Sequence, residues 1–251
     1  MPNEGVQLVP VHGIGEIEPG TDLGATIRAA LEAQDTSLRD GDILVVTQKI
    51  VSKAEGCRVR LEDVEPSPLA MEWAGLWSKD ARVVELVLRQ SRRIVRMERG
   101  VIISETRHGL VCANAGVDQS NVGEQSATLL PEDPDASAER LREALSQATG
   151  ARVGIVISDT FGRAWREGQV NVAIGVAGVE ALRHFEGQLD PTGYELRVTM
   201  LATADELASA AELVMGKLDG VPVALVRGLD RALGNGSARE LVRPAASDMF
   251  R

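Results

Sequence analysis

The residues best placed for chemistry in this 251-residue chain are Asp159 and Thr160. They follow the apolar or small run Val153-Gly154-Ile155-Val156-Ile157-Ser158, and Gly162 and Arg163 come next. A buried strand ending there would hold both side chains rigidly at a sheet edge. A carboxylate beside a hydroxyl suits a hard cation such as Mg²⁺, which takes one or two carboxylates and completes its shell with phosphate oxygens and water. The competing reading is a turn cap, a position that Asp also favours. A second polar cluster, Asn114-Ala115-Gly116-Val117-Asp118-Gln119-Ser120-Asn121, follows another short apolar run. There Asp118 and Asn121 could reach one ion or one phosphate, or the segment could be a turn whose side chains bond their own backbone. Two aspartates, each after its own strand, point to a shared metal site more strongly than either does alone.

Other polar features are weaker. Gly13-Ile14-Gly15-Glu16-Ile17 is a glycine turn after a strand, but neither a P-loop nor a dinucleotide fingerprint, which needs a third glycine at the right offset. Lys53 follows an apolar strand and could neutralise phosphate, although most lysines are solvated surface. His12, His108 and His184 are scattered and propose no triad, and no Ser or Cys sits in a nucleophile elbow.

These residues need elements to hold them. A strand is expected over 6–11, then a helix over 23–33 capped by Thr21 or Asp22. A buried strand follows at 43–46. Ser67-Pro68 opens a helix that continues, with a break near Lys79-Asp80, to about Ser91. Short strands are read at 101–104 and 110–113. A helix runs from Asp133–Asp135 to Gly150, with Leu141, Ala144, Leu145 and Ala148 on one face. The strand at 153–157 ends at Ser158-Asp159-Thr160, and 196–201 reads as a half-buried strand. A helix marked by Leu207, Ala210, Ala211 and Val214 stops at Gly216, and the last strand is 221–226. Strands and helices mix without steady alternation, so the expected class is α+β with mixed or antiparallel sheets.

Composition bounds the rest. Apolar residues at 44% and charged residues at 25% are those of an ordinary globular protein. A net charge of −10 argues against nucleic-acid binding, which shows a basic face. Any anionic ligand must then be held locally, by metal ions, backbone amides and a few cations. Two cysteines without a disulfide or metal pattern fit a reducing compartment. The polar start at 1–6 and the lack of any run near ~20 apolar residues exclude a signal peptide and a membrane span, so a cytoplasmic protein is expected.

Taken together, Leu8-Val9-Pro10-Val11-His12-Gly13-Ile14, Val51-Ser52-Lys53-Ala54-Glu55-Gly56, the Asn114 to Asn121 block, Ile157-Ser158-Asp159-Thr160-Phe161-Gly162-Arg163 and Val226-Arg227-Gly228 resemble the coenzyme F420:L-glutamate ligases. Order and spacing hold across about residues 6–245. Leu241-Val242-Arg243-Pro244 is similar to the end of this module in a bacterial fusion form that continues into a flavin-binding nitroreductase-like domain. The expectation is the ligase module without that domain.

The resemblance implies a two-lobed fold, the lobes formed by about 1–60 with 150–245 and by about 61–149. It implies a GTP-dependent ligase that adds L-glutamate to the precursor of the deazaflavin coenzyme and extends a γ-linked tail. Asp118, Asp159 and Thr160 match the family's metal positions, for Mg²⁺ or Mn²⁺, with K⁺ a further candidate ion. Ile14, Gly15, Glu16, Ile17, Gln48, Lys53 and Asn121 match its nucleotide contacts, Gln48 standing where Ser or Thr is usual. Gly216 and Lys217 fall in a further nucleotide segment, where archaeal members tend to carry an acidic residue in place of Lys217. A homodimer is also implied. The chemistry suits the residues: a carboxylate does not condense with an ammonium in water until it is activated, most simply as an acyl phosphate. Phosphoryl transfer asks mainly for positioning and charge neutralisation, so no nucleophile motif is needed. A metal-dependent phosphohydrolase and a nucleotide-binding module without turnover are the alternatives.

Overall fold

The computed structural model describes residues 5–121, 123, 125–229 and 232–249, so the first four residues of the polar start lie outside it. Its centre is a five-stranded sheet of β1 (Gln7–Pro10), β2 (Ile43–Thr47), β8 (Gly154–Arg163), β9 (Arg166–Ala177) and β12 (Val223–Arg227), in the order β1-β12-β2-β8-β9. Only β2 and β8 run parallel; the other neighbours are antiparallel. The α+β class with a mixed sheet is therefore correct.

Alternation along β2 explains why this sheet is covered on both faces. Leu44 and Val46 face helices α1 (Leu23–Ala33), α2 (Gln48–Ala54) and α5 (Pro134–Thr149), while Ile43 and Val45 face α6 (Thr203–Met215). Asp22, not Thr21, caps α1, its carboxylate accepting from Ala25 N at 2.9 Å. Asp133 and a left-handed Gly150 bound α5 as expected. Its buried stripe is Ala138, Leu141 and Leu145, at 3.6-residue spacing, leaving Ala144 and Ala148 exposed. The stripe seats α5 on the central sheet.

The smaller elements stand apart. Helices α3 (Pro68–Trp77) and α4 (Ala81–Gln90), capped by Ser67 and Asp80, pack on a sheet of β4 (Ser91–Glu98), β5 (Val101–Thr106) and β6 (Val111–Ala113). Strands β3 (Arg58–Arg60) and β7 (Ser126–Thr128) pair beside them, and β10 (Arg183–His184) pairs β11 (Met200–Leu201). The strand expected over 196–201 shrinks to Met200 and Leu201, both exposed, because its only partner is two residues long. The strand expected over 153–157 and ending at Ser158-Asp159-Thr160 instead runs to Arg163, held by β9. Arg166-Glu167-Gly168-Gln169 is too polar to announce β9 from periodicity.

Two contacts lock these elements together. Arg227 grips the buried Asp42 with two hydrogen bonds, 2.8 Å from Nε and 2.6 Å from a terminal nitrogen, tying β12 to the start of β2. Gly175 lets α5 approach β9: a Cβ there would lie 2.4 Å from the carbonyl oxygen of Pro134. Backbone cannot yield as a flexible side chain can. Gly175→Ala should therefore cost about 1–3 kcal/mol of stability by overpacking, read as a lower denaturation midpoint. An unchanged midpoint would mean that α5 is not seated there.

Candidate active site

The parallel pair sets the site. Thr47 stands opposite Ser158, and β2 passes without a loop into α2, so Gln48 and Lys49 come level with Asp159. Lys49 Nζ lies 2.8 Å from Asp118 Oδ2. Asp118 itself follows three consecutive left-handed residues, Asn114, Ala115 and Gly116, with φ of 53°, 49° and 72°. Two of them are not glycine, a strained path that costs energy and clusters at functional sites. Backbone hydrogen bonds to Thr128 on β7 then anchor Asp118, and Ser120 bonds its carboxylate from both N and Oγ. Burial raises the Asp118 pKa, but Lys49 and Ser120 outweigh it and hold the group below its ordinary value.

Asp159 is the opposite case. Burial pushes its carboxyl up to about 6. The Thr160 N–H, at 2.8 Å from Oδ1, opposes that shift, the Asp118 charge adds to it, and Lys217 and Lys49 offset part of it. Two carboxylates that repel, one of them poorly neutralised, are what a divalent cation relieves. The residues thus fit such an ion, but no group of three or more His, Cys, Asp or Glu able to hold a metal exists among the described residues. An ion here would draw its remaining ligands from substrate and water. Burial and the Asp159 charge push the thiol of nearby Cys112 up to about 12, which disfavours its thiolate.

Thr160 does not share a face with Asp159. Strand alternation turns it to the other side, where its hydroxyl donates to Asn171 Oδ1 at 2.8 Å. Asn171 in turn donates to Glu212 on α6 at 2.8 Å. Lys49, Asn171 and Glu212 escaped sequence reasoning. Only the adjacency of Lys49 to the Gln48 position could have flagged one of them.

The expected nucleotide residues divide. Ile14 and Ile17 are core residues, while Gly15 and Glu16 are exposed. Lys53 is not at the open surface. It lies in the last turn of α2 and is only 8% exposed, with Nζ 2.5 Å from Glu16 Oε1. It is therefore a buried ion-pair member rather than a solvated lysine, and the fold feels its removal. Gln48 is buried too, accepting from Ser52 Oγ at 2.8 Å. Asn121 is exposed with φ 59°, and Lys217 follows the α6 cap Gly216, near enough to act on Asp159.

Comparison with known proteins fits this arrangement to a family. The model of the F420-0:gamma-glutamyl ligase family matches residues 13–228. The chain belongs to that family. Asp118, Asp159, Lys49 and Lys53 all lie within the matched part. A coenzyme F420:L-glutamate ligase of Methanothermobacter thermautotrophicus is 46% identical over 98% of this chain and 99% of its own length. Proteins of the same description from Methanopyrus kandleri and Methanocaldococcus jannaschii are each 45% identical, covering 98% and 85% of this chain and 98% and 86% of their own lengths.

Asp159 makes a signed prediction about the metal-free protein. A carboxyl whose folded pKa stands above its ordinary 3.8 penalises the fold as pH rises through the window from 3.8 to about 6, and fully above it. Asp159→Asn keeps the acceptor for Thr160 N–H and removes the charge. Its melting temperature should exceed that of wild type near pH ~8, and the gain should shrink towards zero near pH ~4. A gain independent of pH would reject the buried-charge account.

Proposed function

We propose that this protein is a GTP-dependent ligase that joins L-glutamate to the deazaflavin coenzyme F420 precursor and extends a γ-linked tail. The observation that carries the reading is the Asp118–Asp159 carboxylate pair beside Lys49 and Lys217, in a chain of the F420-0:gamma-glutamyl ligase family. Asp118 and Asp159 would hold Mg²⁺ or Mn²⁺, with Thr160 and the Asn171–Glu212 pair behind it on the other face. When bound, the ion neutralises charge on the phosphoryl oxygens.

The reaction needs two displacements. A carboxylate oxygen of the acceptor attacks the γ-phosphorus of GTP, GDP departs, and an acyl phosphate forms. The glutamate amine then attacks that carbonyl carbon, phosphate leaves, and the amine gives up its proton. Lys53 and Lys217 meet the nucleotide's charge as compact cations. The buried strands behind Asp159 keep the cluster rigid, so that effective concentration replaces a catalytic nucleophile. Localised cations allow a protein of net charge −10 to hold two anionic substrates.

Mass spectrometry of the coenzyme precursor incubated with GTP, Mn²⁺ and glutamate should show successive glutamate additions. Phosphate release without added glutamate would point to a phosphohydrolase instead. Asp159→Asn should abolish ligation at saturating metal while the protein still folds, and undiminished turnover would remove Asp159 from the metal site. For Lys53→Ala, GTP affinity measured by calorimetry should fall on the order of tenfold to a hundredfold, since a charge-assisted contact contributes ~1.5–3 kcal/mol. Equal affinity would confine Lys53 to its pair with Glu16. The assembly we propose is a homodimer, the commonest closed symmetry. Light scattering at the monomer mass would reject it.

A further inference from the structure

A groove of about 730 Å³ lies where the β4-β5-β6 sheet meets the segment after α6 and β12, and it is lined by Arg92, Arg93, Arg239 and Arg243. Their placement follows from local structure. The register of β4 against β5 shifts between Ser91 and Arg93, a bulge that sets consecutive arginines against one carboxylate. Arg92 and Arg93 lie 3.6 and 3.1 Å from Glu105, so one acidic group answers two guanidiniums. Arg239 comes from the 3₁₀ turn Ala238–Leu241 and pairs with Asp133 at 2.9 Å, yet 75% of its side chain is exposed. The Arg92 side chain is 73% exposed. His108 also lines the groove; its Nε2 faces the carbonyls of Pro131 and Glu132, while Nδ1 is buried without a partner.

The groove continues into a second space of about 330 Å³ that shares Gly109, Val242 and Arg243 with it. Leu110, Val111, Phe161 and Val172 give this part an apolar wall, although Asp205 and Asp248 line it too. Phe161 is two residues beyond Asp159 on the same strand, and Val172 is the cross-strand partner of Asp159. One end is thus mostly apolar and borders the β8–β9 pair that carries Asp159; the other is lined by guanidiniums. A single phosphate asks for donors that converge. Arg92 and Arg93 converge on one carboxylate, whereas Arg239 comes from a 3₁₀ turn and Arg243 from the segment after it, an arrangement that suits more than one carboxylate, each matched by a planar fork.

We propose that this groove holds the γ-linked glutamate tail of an acceptor that has already been extended, its growing end towards Asp159. The proposal rests on the ligase reading above. A γ-linked unit contributes two methylenes to the chain and leaves its α-carboxylate free, which matches an apolar wall followed by arginines.

The test compares acceptors bearing no glutamate and two γ-linked glutamates, on wild type and on an Arg92→Gln/Arg239→Gln double variant. The variant should raise KM for the tailed acceptor about tenfold or more, with KM for the tail-less acceptor and GTP affinity unchanged. An equal change for both acceptors, no change for either, or a loss of GTP affinity would overturn the assignment. Should the double variant fail to fold, Arg92→Gln alone, at an exposed position, gives the same comparison. A wild-type protein that adds glutamate to neither acceptor would refute the ligase reading. The groove is then judged by calorimetry with free tri-γ-glutamate, where equal binding to wild type and variant refutes it as well.

Discussion

The parallel pairing of β2 with β8 is the constraint on which the rest depends. Both strands are buried on both faces, so their register is fixed by packing on either side and cannot slip by one residue without turning every side chain to the wrong layer. Their parallel pairing ends at Thr47 and Ser158. There β2 becomes α2 and delivers Lys49, while β8 continues past Ser158 and delivers Asp159. The Asp118 loop, pinned to β7, closes the same edge from the smaller layer. Three segments far apart in the chain therefore meet with little freedom.

Electrostatics gives that edge its character. The fold answers Asp118 with Lys49 and Ser120 but leaves Asp159 mostly to one backbone N–H, and burial then disfavours its charge. An arrangement that is unfavourable alone becomes favourable when a cation and phosphate enter, which separates a binding site from a structural ion pair. Asp42 and Arg227 make the contrast: the buried carboxylate meets a guanidinium directly through two hydrogen bonds, with Arg39 N–H and the Ser37 carbonyl completing the contacts. Among the cations, Lys49 and Lys217 act on the carboxylate edge, and four arginines line the groove.

The two faces of β8 divide the polar work. Asp159 and Phe161 point to the layer of α1, α2 and α5, while Thr160 points to α6 and reaches Glu212 through Asn171. The bulge in β4 is a local device of the same kind, aiming two neighbouring arginines at a single glutamate.

Much of this was written in the sequence. The helices α1, α3, α4, α5 and α6 carry their own caps or stops, and β2 and β12 are apolar runs that only a buried strand accommodates. Asp118 and Asp159 stood out because polar residues following apolar runs are local signals. What local signals could not carry was pairing. β9 begins with polar and glycine residues and is a strand because β8 holds it, and 196–201 is mostly not one because nothing does. Lys53 looks like a surface lysine until Glu16, thirty-seven positions earlier, is brought to its head group. Lys49, Asn171 and Glu212 join the site, and the arginines their groove, only through contacts between distant segments. Residue type and spacing determine which elements form and which side chains could do chemistry; the register between strands, a property of packing across the whole sheet, decides which of them meet.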